Sequence, residues 1–225
     1  MKIFKKIALL ILIILFVAIV VLGIWQHENI MVLLKTTNSS SESIAVEIDN
    51  GKKAFEEAVQ KQYPSVISDL TAEEEKKLIK GELSVEEAVS ILTKKYEEAP
   101  KNTVTKVSQT EIDKLVGERA IELYSLKAYY LGQLGQLEAR VKNDYLGLPK
   151  EKRNLIGKKD LVAKYMSTAV GLLNQCDAKV ENILSELKAD IEKLNGDTSI
   201  IKTIREAYKN EKNLKKAYYI KLLEE

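Results

Sequence analysis

The chain has little of what most enzymes need. It holds one cysteine, Cys176, and one histidine, His27. A single thiol excludes an internal disulfide, and an exported domain of this size folds without one. Cys176 falls on an apolar helical stripe, where a cysteine behaves as a small buried hydrophobe. His27 follows Trp25 with no second ligand type beside it, so it makes neither a metal site nor a triad and reads as an interfacial polar residue. The motifs H-E-x-x-H and G-x-S-x-G, the glycine-rich phosphate loop and the EF-hand loop are all missing. Asp49-Asn50-Gly51 has turn residues, but without the acid spacing of a calcium loop. Carboxylates are plentiful, yet none is paired across a cleft as glycoside hydrolysis requires. We therefore expect no enzyme and no cofactor.

Proline (3), phenylalanine (3) and glycine (10) are also scarce among 225 residues. Charged residues make up 30% and are interspersed, a composition of long helices rather than of sheets. With Lys2, Lys5 and Lys6 set aside, 32 basic side chains face 33 acidic ones. That near-neutrality argues against a nucleic-acid partner. The heavy use of Lys, Ile, Asn and Tyr points to a low-GC bacterial source.

What is present begins with an uncharged apolar run, Ile7–Trp25. A helix rises ~1.5 Å per residue, so this run covers roughly 28 Å, the hydrocarbon thickness of a bilayer. Lys2, Lys5 and Lys6 precede it, and only Lys35 is basic in the next fifteen residues. The positive-inside rule puts 1–6 in the cytoplasm and the rest outside the cell membrane. Trp25 closes the run where an indole favours the headgroup region. The expected organisation is a cytoplasmic end over 1–6, a transmembrane anchor over 7–25 and a juxtamembrane linker over 26–43. A short-helix subdomain over 44–100 and a three-helix bundle over 108–225 follow. A cleaved export signal ending at Gly23 is the rival, but its apolar core is usually ~7–15 residues.

The fold expected is all-α: the amino-terminal transmembrane helix, a smaller helical hairpin, and an elongated antiparallel three-helix bundle. Thr71 with Glu74, and Ser84 with Glu87, are capping boxes around the turn Lys80-Gly81-Glu82. They frame a hairpin with Leu78, Ile79, Leu83, Val89 and Leu92 on its apolar side. Ile112, Val116, Ala120, Leu123, Leu126, Tyr130, Leu134, Leu137, Val141 and Tyr145 then recur at the helical period. Leu148-Pro149 ends that helix, a second runs from about Lys159 to Leu194, and Asn195-Gly196 stops it before a third, Thr198–Leu223. Helices with one apolar stripe each must bury it against neighbours, and short loops make those neighbours antiparallel.

Candidate contact residues are few. Lys202, Arg205, Lys209, Lys212 and Lys216 form a basic face on the last helix, suited to anionic headgroups, a wall polymer or solvent. The loop 150–159 is basic too, with the same readings. Tyr124 and Tyr129 stand near Gly132 and Gly135, two helix-interior glycines best explained by close helix approach. Glu211 falls where the last stripe should continue. The function expected is a non-enzymatic, single-pass scaffold or interaction module of a bacterial cell envelope. Its partners would be the lipid bilayer and another envelope protein or a second copy of itself. A secreted helical binding protein and an enzyme of unrecognised class on a helical scaffold are the alternatives.

Overall fold

The computed structural model describes residues 39–100, 107–152 and 155–224, and among these it is all-α. The anchor run and its flanking residues Lys2, Lys5, Lys6, Ile7 and Trp25, with His27, lie outside the described residues. Among those described, no helix is long and apolar enough to cross a membrane. The helices are α1 (Ser41–Gln60), α2 (Ala72–Lys80), α3 (Val85–Glu98), α4 (Val107–Gly147), α5 (Leu155–Lys193) and α6 (Ser199–Glu224). Helix α1 starts at Ser41, taking in the last three residues of the span expected as linker, and runs through Gly51. Helix α5 starts at Leu155, taking in part of the basic loop.

Two units emerge: Lys53–Arg205, and a smaller one of Met1–Lys52 with Glu206–Glu225. In the smaller unit Ile44 of α1 packs with Leu214 and Ala217 of α6, flanked by Ile48 and Tyr218. The spacing places the last helix in one bundle along its whole length. Helix α6 belongs through Arg205 to the unit of the two long helices and from Glu206 to the smaller unit.

Within Lys53–Arg205, α4 and α5 form an antiparallel pair. Arg119 meets Glu186 and Asp190 near one end, and Asp144 meets Lys164 and Tyr165 near the other. Ile112, Val116, Ala120 and Tyr130 of α4 are buried, as are Val180, Leu184, Leu187 and Ile191 of α5. Ile200, Ile201 and Ile204 extend that core from the first turns of α6. Asn195 takes the left-handed conformation that ends α5. The next residue, Gly196, lies so close to Ile112 that an added Cβ would sit 2.5 Å from its Cδ1.

Helices α2 and α3 form the expected hairpin. Both capping boxes are complete, and Gly81 turns the chain at φ 73° while its N–H bonds the Leu78 carbonyl. Their core joins Leu78, Ala88 and Leu92 to Ile67 and Leu70 of the preceding loop and to Ala128 and Leu131 of α4. Ala88, not Val89, points inward: α3 starts at Val85, and the apolar phase runs Val85, Ala88, Leu92.

So α4 buries two faces, and glycines line the second. A Cβ at Gly117 would lie 2.8 Å from the Ser65 carbonyl oxygen, and one at Gly135 2.8 Å from the Ile79 carbonyl carbon. At Gly132 it would meet Val85 at 2.8 Å. The close approach read from Gly132 and Gly135 is what the structure shows. Gly135→Ala should therefore lower stability by ~1–3 kcal/mol, because backbone has to move to admit the methyl. Gly171→Ala, where the Cβ meets nothing within 4 Å, should raise it by up to ~1 kcal/mol. Urea denaturation followed by circular dichroism reads both, and equal effects would contradict the packing described.

Candidate interaction surface

The ordering of the loop between α1 and α2 decides which surfaces remain for a partner. Helix α1 ends at Gln60, and the chain crosses α4 as Tyr63–Thr71 with Tyr63, Val66, Ile67 and Leu70 buried. Two acids tie it down. Asp113 of α4 is 1% exposed and accepts from the Ser65 N–H (3.1 Å) and Ser65 Oγ (2.5 Å). Asp69 is ion-paired with Lys127 of α4, whose Nζ also lies 2.7 Å from Glu75 of α2. Lys95 of α3 donates to the Asp69 carbonyl at 2.9 Å, and Glu56 of α1 accepts from the Asp69 N–H at 2.9 Å. One ammonium thus joins loop, hairpin and long helix where all three side chains are largely dry. Removing one partner of such a buried pair leaves an uncompensated charge.

Sequence reasoning missed this cluster. The available signal was a second period on α4, in which Asp113, Gly117, Tyr124, Ala128, Leu131 and Gly135 recur at steps of three to seven. Small and polar residues carry it, so it is silent in a search for apolar stripes.

Tyr124 packs against the hairpin core. Tyr129 is 43% exposed and stands edge-on to Tyr130, centroids 5.2 Å apart, with Lys179 5.6 Å from its ring. Tyr130 is buried, and its hydroxyl finds no hydrogen-bond partner among the described residues. Cys176 is half-buried. Arg205 is engaged by Glu181 through a fork of hydrogen bonds at 2.8–3.1 Å. Lys202 and Lys209 are exposed, Lys216 is half-buried, and Lys212 lies 5.4 Å from the Tyr208 ring. Glu211 pairs with Lys215 at 3.1 Å. The described residues of the smaller unit carry six lysines and six acids, so this lysine row stands in a neutral setting.

Among the side chains described over 136–175, the far part of the α4–α5 pair, five are basic and four acidic. The rest of Lys53–Arg205 has 17 basic and 21 acidic ones. Along the outer face of α3, Glu86, Val89, Ser90, Thr93, Lys94, Glu97 and Glu98 line an open depression, with Lys94 3.9 Å from Glu98.

Lys127→Met should destabilise the domain by ~3–5 kcal/mol, since it removes the ammonium that two buried carboxylates share. Asp113→Ala should cost ~1–3 kcal/mol by leaving the buried Ser65 N–H unpaired. Urea midpoints test both, and a change below ~0.5 kcal/mol in either would contradict the assigned roles.

The pH dependence has two flanks. Hydrogen bonds from Lys164 and Tyr165 hold Asp144 low, those from Lys193 and then Arg119 hold Asp190 low, and those from Ser199 hold Asp197 low. A carboxyl with a depressed folded value stabilises above its unfolded value, and that contribution is lost as pH falls from about 4. Burial raises the phenols of Tyr63, Tyr96 and Tyr130, with Asp197 and Asp113 adding to it at Tyr63. Their contribution is full below about pH 10 and lost as pH rises through the raised values. Urea midpoints should be level between these limits and fall outside both; a midpoint unchanged above pH 10 would contradict the buried phenols.

Family models, curated proteins and solved structures offer no match to this chain.

Proposed function

We propose that this chain is a single-pass, amino-terminally anchored envelope protein that holds a helical interaction module outside the cell membrane. The observation that carries this reading is the uncharged run Ile7–Trp25 behind Lys2, Lys5 and Lys6. A segment of that length and hydrophobicity partitions into a bilayer, and the lysines resist translocation. Trp25 anchors its outer end. The architecture that goes with it is an anchor followed by a hairpin and an elongated antiparallel bundle.

The module's role is contact rather than catalysis. Its dry charged groups, Lys127 with Asp69 and Glu75, and Asp113 with Ser65, spend their hydrogen bonds on holding segments together. Its exposed features are extended helix faces, the form of surface on which helical proteins meet partners. The bilayer is one partner and another envelope protein or a further copy is the other; nucleic acid is not a fitting one for a chain with this charge balance.

Alkaline extraction of membranes from expressing cells, followed by mass spectrometry of the amino terminus, tests the reading. The expected result is a chain retained in the pellet and beginning at or next to Met1. A chain released to the supernatant and beginning at Ile24 would replace the anchor with an export signal.

A further inference from the structure

Among the described residues of the larger unit, one buried side-chain hydroxyl has no hydrogen-bond partner, that of Tyr130. The residue is 5% exposed, so water does not supply the missing bond. Leaving such a group unpaired is costly, and native proteins keep few of them. A dry phenol with nothing to donate to would hold any acceptor oxygen brought beside it.

The neighbours of Tyr130 say where that oxygen would sit. Lys179 of α5 lies 5.8 Å from the Tyr130 ring and 5.6 Å from the Tyr129 ring, and the two rings stand edge-on. Cys176 is half-buried and one turn before Lys179, on the same face of α5. Burial first, and the charge of Cys176 second, raise the Tyr130 phenol, as expected of a hydroxyl and a thiol that are neighbours. Two helices thus bring together a thiol that small molecules can reach, an ammonium and a dry hydroxyl. Asp177 follows Cys176 but projects about 100° further round α5. A thiol reacts where it is partly exposed beside positive charge. Its sulfur is a weak acceptor, which the Tyr130 hydroxyl does not use, whereas an oxygen added to that sulfur is a good one.

We propose that Cys176 is a reversible oxidation site for small hydroperoxides, and that Tyr130 holds the oxygen it gains. With hydrogen peroxide, the thiolate sulfur attacks one peroxide oxygen, and the S–O bond forms as the O–O bond breaks. Sulfur is oxidised to the sulfenic state. The departing oxygen is reduced, leaves as hydroxide and takes up the thiol's proton to become water. The oxygen on Sγ then accepts from the Tyr130 hydroxyl, with the Lys179 ammonium nearby to offset its charge. Held in this way, the sulfur is slower to take a second oxygen, the step that leads to irreversible sulfinic acid. The chain has no second cysteine, so the reductant comes from outside. One small thiol condenses with the sulfenic acid and expels water, and another displaces it from the mixed disulfide. This goes beyond the reading as an interaction module, since it gives the module a chemical state as well as a contact surface.

Hydrogen peroxide added to the full chain in detergent micelles, with dimedone capture and peptide mass spectrometry at Cys176, tests the proposal. Tyr130→Phe removes a hydroxyl that makes no bond in the fold, so its urea midpoint should equal or slightly exceed that of the wild type. Tyr129→Phe removes the neighbouring hydroxyl from a residue that is 43% exposed. At about ten equivalents of peroxide, wild-type Cys176 should be captured as the dimedone adduct and, without dimedone, should return to the thiol with dithiothreitol. In Tyr130→Phe the ratio of sulfinic to sulfenic acid should rise at least about threefold, while Tyr129→Phe should match the wild type. A wild-type Cys176 that dimedone does not label, where the urea-unfolded chain is labelled, overturns the proposal. So does an unchanged ratio in Tyr130→Phe, or an equal change in Tyr129→Phe. A lowered urea midpoint for Tyr130→Phe would also overturn it, by showing that the hydroxyl is already bonded within the fold. None of these results bears on retention of the chain in membranes, so the proposal and the anchor reading fail separately.

Discussion

The ammonium of Lys127 is the point on which the larger unit turns. It sits on the long helix α4, pairs with Asp69 in the loop and Glu75 in the hairpin, and is mostly shielded from water. Without it, two largely dry carboxylates would lose the ammonium they share, and α4 would lose its ion pairs to the loop and the hairpin. Apolar burial supplies most of the attraction, through Leu70, Leu78, Leu92 and Leu131. It is non-directional, however, and the ion cluster with the Asp113–Ser65 bonds fixes one register out of several that burial alone would allow. The glycines complete the constraint: at Gly117 and Gly135 even a methyl group would hold the hairpin and loop away from α4.

The larger lines of the fold were legible from local chemistry. Capping boxes marked the starts of α2 and α3 because a hydroxyl and a glutamate at fixed spacing satisfy helix-end N–H groups wherever they occur. Asn195-Gly196 marked the end of α5, although Asn195, not Gly196, adopts the left-handed conformation and the glycine serves packing. Hydrophobic period located α4, α5 and α6 to within a few residues. What stayed hidden is what tertiary contact decides. The second buried face of α4 is written in Asp113, Gly117, Lys127 and Gly135, residues that read as surface or as helix weakeners until a partner is set against them. The start of helix α1 stayed hidden, because Ser41–Ser43 close a polar stretch that reads as a linker; Ile44 and Ile48 are held by the last helix, far away in sequence.

The candidate contact residues divide in the same way. Arg205 and Tyr124 are taken up inside the fold, by Glu181 and by the hairpin core. The lysine row of α6 shares its unit with an equal number of acids, which reduces its field toward an anionic surface.

As proposed, this helical module stands outside a membrane at the end of an amino-terminal anchor. Trypsin treatment of intact spheroplasts expressing the full chain tests it most directly, with antibodies against the amino-terminal and carboxyl-terminal ends. The account predicts that the carboxyl-terminal signal is lost while the membranes are still sealed and an amino-terminal fragment stays with them. A carboxyl-terminal signal that survives until the spheroplasts are lysed would contradict it.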